Sequence, residues 1–338
     1  MTKQEIYPLF KGICRIEDMN DGYIFPARMT RKQEEYFVND GPGMGMRAKC
    51  TPGVRLDFYT DAKVISLSYR FGEAYRKTVS FDLYINDVLC DSHRNDGSDE
   101  GKIVWELEKY DMYPETYEER RVTIHFPCIA QTFIKDVKIG NARPAESPKE
   151  KILFFGDSIT QGVDCGVHAS LNYVNLASRY LNAEYMNLGV GSARFCPGFI
   201  DNELAFKPDE IVVAYGSNDC VLVYSEEGVR RDIPEFFRIL TETYPGVPLY
   251  VITPIWNWRF DDNGTSPYSE AEKERISIVL DLIKDSCEKT GANLIDGRKL
   301  ICHIPDLFRN NDPHPVEAGF AIYGAELAKA ISELRNTK

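Results

Sequence analysis

The 338-residue chain sets 40 Lys and Arg against 52 Asp and Glu, a net charge of −12 at neutral pH. So acidic a surface repels phosphate backbones and anionic lipid, which argues against nucleic acid or a membrane surface as a partner. With 43% hydrophobic and 27% charged residues the composition is that of a soluble globular protein, and the length suits two domains better than one core.

The opening stretch, "MTKQEIYPLFKGICRIEDMN", has no basic segment leading into an apolar run. No secretory signal is therefore expected, and a cytoplasmic location is. No uninterrupted apolar stretch approaches the roughly 18 residues that cross a bilayer. The nine cysteines are odd in number and include no Cys-x-x-Cys pair, against a disulfide framework and a structural zinc site.

From about residue 54 to 140 the rhythm is that of strands. "VRLDFYT", "KVISLSYRF", "TVSFDLYIN" and "RRVTIHF" alternate apolar and polar residues between turn formers, a pattern that predicts a small β-sandwich. "NARPAESPKEK", residues 141 to 151, reads as a linker, so the expected domains are 1–145 and 146–338. Beyond it, short apolar runs ("KILFF", "AEYMNL", "DEIVVAY", "PLYVIT", "ANLID") alternate with helical segments. The clearest is "SEAEKERISIVLDLIKDSCEKTG", where Ile276, Leu280 and Ile283 fall at helical spacing and Gly291 offers a stop. Such alternation predicts a parallel sheet flanked by helices.

Ligands of an open parallel sheet bind beyond the carboxyl ends of its strands, where the loops converge. The unusual residues of this half sit at those ends: "GDSIT", "NLGVGS", "GSND", "TPIWNWRFDD" and, after the fifth strand, "NNDPHPVEAGF". Ser158 is a candidate nucleophile displayed on a sharp strand-to-helix turn, although a serine after Gly-Asp also serves as a helix cap.

Of the five histidines, His125 alternates within a sandwich strand and His93 sits in a polar loop. His168 and His303 have no adjacent carboxylate and read as surface or packing residues. His314 lies between Pro313 and Pro315, which restrict the backbone on both sides, and Asp312 could accept its ring N–H. An Asp-Pro turn with an incidental histidine is the competing reading. For a tetrahedral oxyanion the candidate donors are the Ser158 backbone N–H, a backbone N–H at Gly191 or Ser192, and the Asn218 amide, which is otherwise a turn residue.

Together these residues resemble the SGNH (GDSL-type) hydrolase superfamily over roughly residues 150 to 335, with four motifs in order. The resemblance implies a flavodoxin-like three-layer α/β/α domain, with Ser158 as nucleophile and His314 as base. It also implies an oxyanion hole from Ser158, the glycine block and Asn218. Two departures stand out. The family's last block usually reads Asp-x-x-His, but Asn311 holds the position three before His314 and the carboxylate is displaced to Asp312. Asp-x-His spacing resembles that of some family-two carbohydrate esterases, where a Ser–His pair acts with weak acid support. Ser192 stands where glycine is common, so a backbone donor survives only if the local φ and ψ allow it. A small jelly-roll-like β-domain ahead of the hydrolase domain is likewise the arrangement of those esterases, which remove acetyl groups from sugars.

The implied reaction is acyl transfer to water, with no metal or organic cofactor. The expected substrate is a small-molecule or oligosaccharide ester, a short acyl group on a sugar in first place. Asp157, Trp256, Trp258 and Arg259 are candidate substrate contacts, the tryptophans serving equally well as packing residues. Alternatives are an arylesterase, thioesterase or lysophospholipase, or a glycan-binding protein whose hydrolase half is inert.

Overall fold

Side chains that alternate across a pleat can bury one face and wet the other, and the first half of the chain is built this way. The computed structural model describes residues 1–75, 79–95, 97–111, 119–165, 168–257, 268–310 and 312–336. After a short helix, α1 (Lys3–Ile6), come β1 (Phe10–Lys11), β2 (Arg15–Asp18) and β3 (Ile24–Ala27). Two further helices, α2 (Arg31–Asn39) and α3 (Pro42–Lys49), precede β4 (Arg55–Thr60), β5 (Val64–Ala74), β6 (Ser80–Ile85) and β7 (Val88–Arg94). The half closes with β8 (Glu100–Glu106), β9 (Arg120–His125), β10 (Ala130–Lys138) and β11 (Ala142–Pro144).

The strands form two antiparallel sheets, β1-β4-β9-β6-β7 and β2-β3-β10-β5-β8. Leu56, Leu67, Leu83, Trp105, Val122 and Ile134 meet in one cluster between them. The sandwich foreseen from alternation is present, and the four quoted runs correspond to β4, β5, β6 and β9. The stretch read as a linker is partly structured, because Ala142–Pro144 pairs with β4.

The parallel sheet comprises β12 (Glu150–Gly156), β13 (Ala183–Asn187), β14 (Glu210–Ala214), β15 (Leu249–Ile252) and β16 (Asn293–Ile295). Its order is β13-β12-β14-β15-β16, the flavodoxin-like arrangement with its switch point beside β12. Both faces are covered, which is why its strands read as continuous apolar runs. Leu153 and Phe155 face one cluster, Ile152 and Phe154 the other.

A single turn, α4 (Ser158–Gln161), follows β12, and α5 (Tyr173–Tyr180) and α8 (Glu317–Asn336) cover one face. On the other face lie α6 (Glu226–Thr243) and α7 (Glu270–Thr290). Gly291 ends α7 in the left-handed region, the stop expected from the sequence, and Ser269 caps its start in a reciprocal capping box with Glu272. Its buried stripe runs through Val279, Ile283 and Cys287 rather than Ile276 and Leu280, which are half-buried.

The halves share structure. Met29, Phe37 and Ala48, from the segment carrying α2 and α3, join the core that holds Leu153, Phe155 and Met186. Arg28 is buried and donates to the carbonyls of Asn187 (2.8 Å), Cys50 (2.9 Å) and Arg47 (3.4 Å); burial draws its pKa down to about 10. A buried ion pair, Arg55 to Glu184 at 2.6 Å, joins β4 to β13. The Asp82 carboxylate accepts the Ser170 N–H at 2.7 Å.

Candidate active site

The end of β12 explains how a serine comes to be displayed. A Cβ on Gly156 would lie 1.9 Å from Thr160 Oγ1, so only glycine lets the chain fold back so tightly. Asp157 then caps α4, its side chain accepting the Ile159 N–H at 3.0 Å. Ser158 is the first residue of the helical turn and is half-buried.

Ser158 Oγ lies 2.6 Å from His314 Nε2, across 156 residues of sequence. The other ring nitrogen, Nδ1, hydrogen-bonds Asp312 Oδ1, and the same oxygen accepts the His314 backbone N–H at 3.0 Å. The His314 segment is stitched to itself and to the start of α8. Arg309 N–H donates to the His314 carbonyl at 3.0 Å, Asp312 N–H to the Arg309 carbonyl at 3.0 Å, and Val316 N–H to the Leu307 carbonyl at 2.9 Å. Burial pushes the Asp312 carboxyl up, but the neighbouring His314 charge and the hydrogen bonds from His314 outweigh it and hold the pKa below the usual value. An ionised carboxylate against Nδ1 fixes the ring with Nε2 free to take a proton.

The glycine block comes next. A Cβ on Gly189 would lie 2.5 Å from Gln161 N, so the loop can press against α4 only without a side chain. Asn187 Nδ2 donates to the Thr160 carbonyl at 2.7 Å, reinforcing the contact. The Gly191 N–H is donated to Gln161 Oε1 at 2.6 Å. Gly191 is thereby corrected: a neighbouring amide oxygen already occupies the donor expected there. Ser192 sits at φ 65°, in the left-handed region that glycine would favour. Neither its N–H nor that of Ser158 has a hydrogen-bond partner among the described residues. Asn218 Nδ2 donates to the Ala193 carbonyl at 2.9 Å, tying the loop after β14 to the glycine block and leaving its second hydrogen.

A profile of the GDSL-like lipase/acylhydrolase family matches residues 154–322. The chain belongs to that family. It is a serine ester hydrolase. No curated protein matches the chain. Among solved structures, the salicylyl-acyltransferase SsfX3 from a tetracycline biosynthetic pathway superposes with a TM-score of 0.73 at 18% identity, over 96% of this chain and 94% of that one. A Bacteroides ovatus protein described as a GDSL-like lipase gives 0.73 at 18% identity, over 97% and 96%. A family-two carbohydrate esterase from Cellvibrio japonicus gives 0.63 at 15% identity, over 97% and 96%. The coverage extends the shared fold to the β-domain as well as to the GDSL-like domain.

Two proposed substrate contacts are corrected within this GDSL-like site. Asp157 is 2% exposed and serves as the helix cap beneath Ser158; burial, with Asp219 nearby, raises its pKa to about 7. Trp256 is 4% exposed, stacked at 4.8 Å on His303 and packed edge-on against Phe308, so it belongs to the core. Trp258 and Arg259 lie outside the described residues. Two histidines also differ from expectation. His93 lies in β7, and His168 meets Ser92 Oγ at 2.6 Å with Asp82 at 3.7 Å.

Three residues escaped the sequence reading. Gln161 joins the glycine block to the β-domain, its Nε2 donating to the Cys128 carbonyl at 3.3 Å and the Arg47 carbonyl at 3.4 Å. Arg47 approaches the block closely enough that a Cβ on Gly191 would lie 3.0 Å from its Cδ. Asp164, from the turn after α4, reaches His314 as well, with Oδ2 3.9 Å from Nδ1. A glutamine one helical turn after the serine is the only local signal for any of them.

Proposed function

We propose that the protein hydrolyses short acyl esters, acetyl esters of a carbohydrate in first place, through an acyl-enzyme formed on Ser158. The observation that carries this reading is the Ser158 Oγ to His314 Nε2 contact of 2.6 Å, with a carboxylate on the far ring nitrogen.

His314 Nε2 takes the hydroxyl proton as Ser158 Oγ bonds to the ester carbonyl carbon. The oxyanion meets the backbone N–H groups of Ser158 and Ser192 and the remaining Asn218 Nδ2 hydrogen. The imidazolium then protonates the departing alkoxide, leaving the acyl-enzyme. Water enters, loses a proton to Nε2 and attacks, and the proton returns to Ser158 as the acid leaves. Asp312 balances the imidazolium in both halves. The carbohydrate leaving group is supported by the likeness, across both domains, to a family-two carbohydrate esterase.

The test compares kcat/KM on acetylated sugars, on 4-nitrophenyl acetate, butyrate and octanoate, and on an acetyl thioester. The expected order puts acetyl esters first and acetylated sugars above the aryl ester. A preference for octanoyl esters or for the thioester would overturn the substrate reading. Failure of a fluorophosphonate to label Ser158 in folded protein would overturn the nucleophile.

A further inference from the structure

The His314 ring faces more than one acid. Asp312 approaches Nδ1 from its own segment, and Asp164 approaches the same nitrogen from the turn that follows the nucleophile's helix. One ligating atom from each of the three lies within 4.8 Å of the others. Asp164 is the better shielded acid, its side chain 10% exposed against 29% for Asp312. The backbone is bent to achieve this: Gly162 has φ 89° and Asp164 φ 64°, a region aspartate tolerates better than most residues with a Cβ. Arg309 Nη1 grips Asp164 Oδ1 at 2.5 Å, and Oδ2 is the oxygen nearer the imidazole.

We infer that Asp164 is a second supporting carboxylate for His314, a positioning residue that shares with Asp312 the stabilisation of the imidazolium. This rests on the reading of His314 as the base. The displaced Asp-x-His spacing then has a physical counterpart. A carboxylate two residues from the histidine must bend back on its own short segment, and the second acid, held by Arg309, confronts the ring from a different element. When Nε2 takes the serine proton, two carboxylates face the imidazolium and the Arg309 guanidinium, so the cluster closes near neutrality. Among the described residues the charged groups at the ring are Asp312, Asp164 and, paired with Asp164, Arg309, which has the Tyr75 phenol as a neighbour; Ser158 Oγ holds the opposite nitrogen.

The experiment is a double-variant cycle on the full chain with 4-nitrophenyl acetate, joined to an NMR titration of the His314 imidazole. Asp164→Asn keeps the left-handed conformation open, and Asp312→Ala avoids the wrong tautomer that an asparagine could impose. Each single change is expected to cost kcat less than about tenfold, and the double change roughly 1,000-fold, well beyond the product of the two. The imidazole midpoint is expected to fall by about one pH unit in Asp164→Asn. Arg309→Gln, which leaves the Asp164 charge uncompensated, should move it upward; if Asp164→Asn fails to fold, Asp164→Gly, which the left-handed conformation also admits, takes its place in the cycle and the titration. An unchanged midpoint in Asp164→Asn, or a double variant no worse than the product of the singles, overturns the inference. Hydrolysis that survives Ser158→Ala would instead overturn the esterase reading, and the titration would still judge Asp164.

Discussion

The two halves of the chain show their roles in opposite ways. In the parallel-sheet half the groups proposed to react stand at strand ends, each within a stretch of a few residues: Ser158 after β12, the glycine block after β13, Asn218 after β14. In the sandwich half nothing reads as chemistry, yet Arg28 and Arg47 meet the glycine block or its strand directly. A residue that reacts must be of one chemical type, whereas a residue that braces need only reach. Short motifs therefore reveal the first kind and hide the second.

The firmest way to break this comparison is to remove the reactive groups themselves. Ser158→Ala and His314→Ala are each expected to lower kcat by at least about 10⁴-fold with the fold intact, measured by steady-state hydrolysis and circular dichroism. Asn218→Ala should cost about 100- to 1,000-fold in kcat with KM little changed, as loss of one oxyanion donor does; a loss below tenfold would assign that amide to the Ala193 contact alone.

The bracing side is tested by Arg28→Met, which strips the carbonyls of Asn187, Cys50 and Arg47 of a buried donor. It should lower unfolding free energy by about 3 kcal/mol, read from urea midpoints, and lower activity only as far as Asn187 and its loop shift. The smallest expected effect is electrostatic. Burial lifts the Asp219 carboxyl to about 7, as it does that of Asp157. Between about pH 4 and about pH 7 the unfolded chain has released protons that the folded chain keeps, so stability falls as pH rises across that window and levels off above it. Asp219→Asn keeps the acceptor for the Phe195 N–H and removes the buried charge. It should gain about 1–2 kcal/mol at pH 8 and almost nothing at pH 4.

What the sequence disclosed follows from the same physics. Strands buried on both faces announce themselves as unbroken apolar runs, so β12 to β16 were legible to within a residue or two. A sandwich strand shows only alternation, and β7 was missed because "VLCDSHR" is half-buried along most of its length. Helices α2 and α3 were missed because "NDGPGMG", which ends the first and begins the second, has the composition of a loop; a Thr30 capping box and the burial of Phe37 outweigh it for α2. Gly191 was assigned a donor that Gln161 takes, and no spacing rule reports a competing side-chain amide. Trp256 carries an apolar ring that suits a pocket wall and a core alike, and only coordinates distinguish the two. Asp164 lies six residues past Ser158 in a turn whose direction depends on two residues of positive φ, so its approach to His314 has no counterpart in the order of letters.

The burial of Met29, Phe37 and Ala48 within the core that covers the parallel sheet bears on how this chain can be divided. Severing it at the junction near residue 145 would strip those three side chains from the shared core and bare Phe199, against which Phe37 now packs. A truncated esterase made that way would carry a bare greasy scar instead of a finished wall. The β-domain is thus an integral flank of the catalytic body and not a module threaded alongside it, and grafts that exchange it must carry residues 29 to 48 across as well.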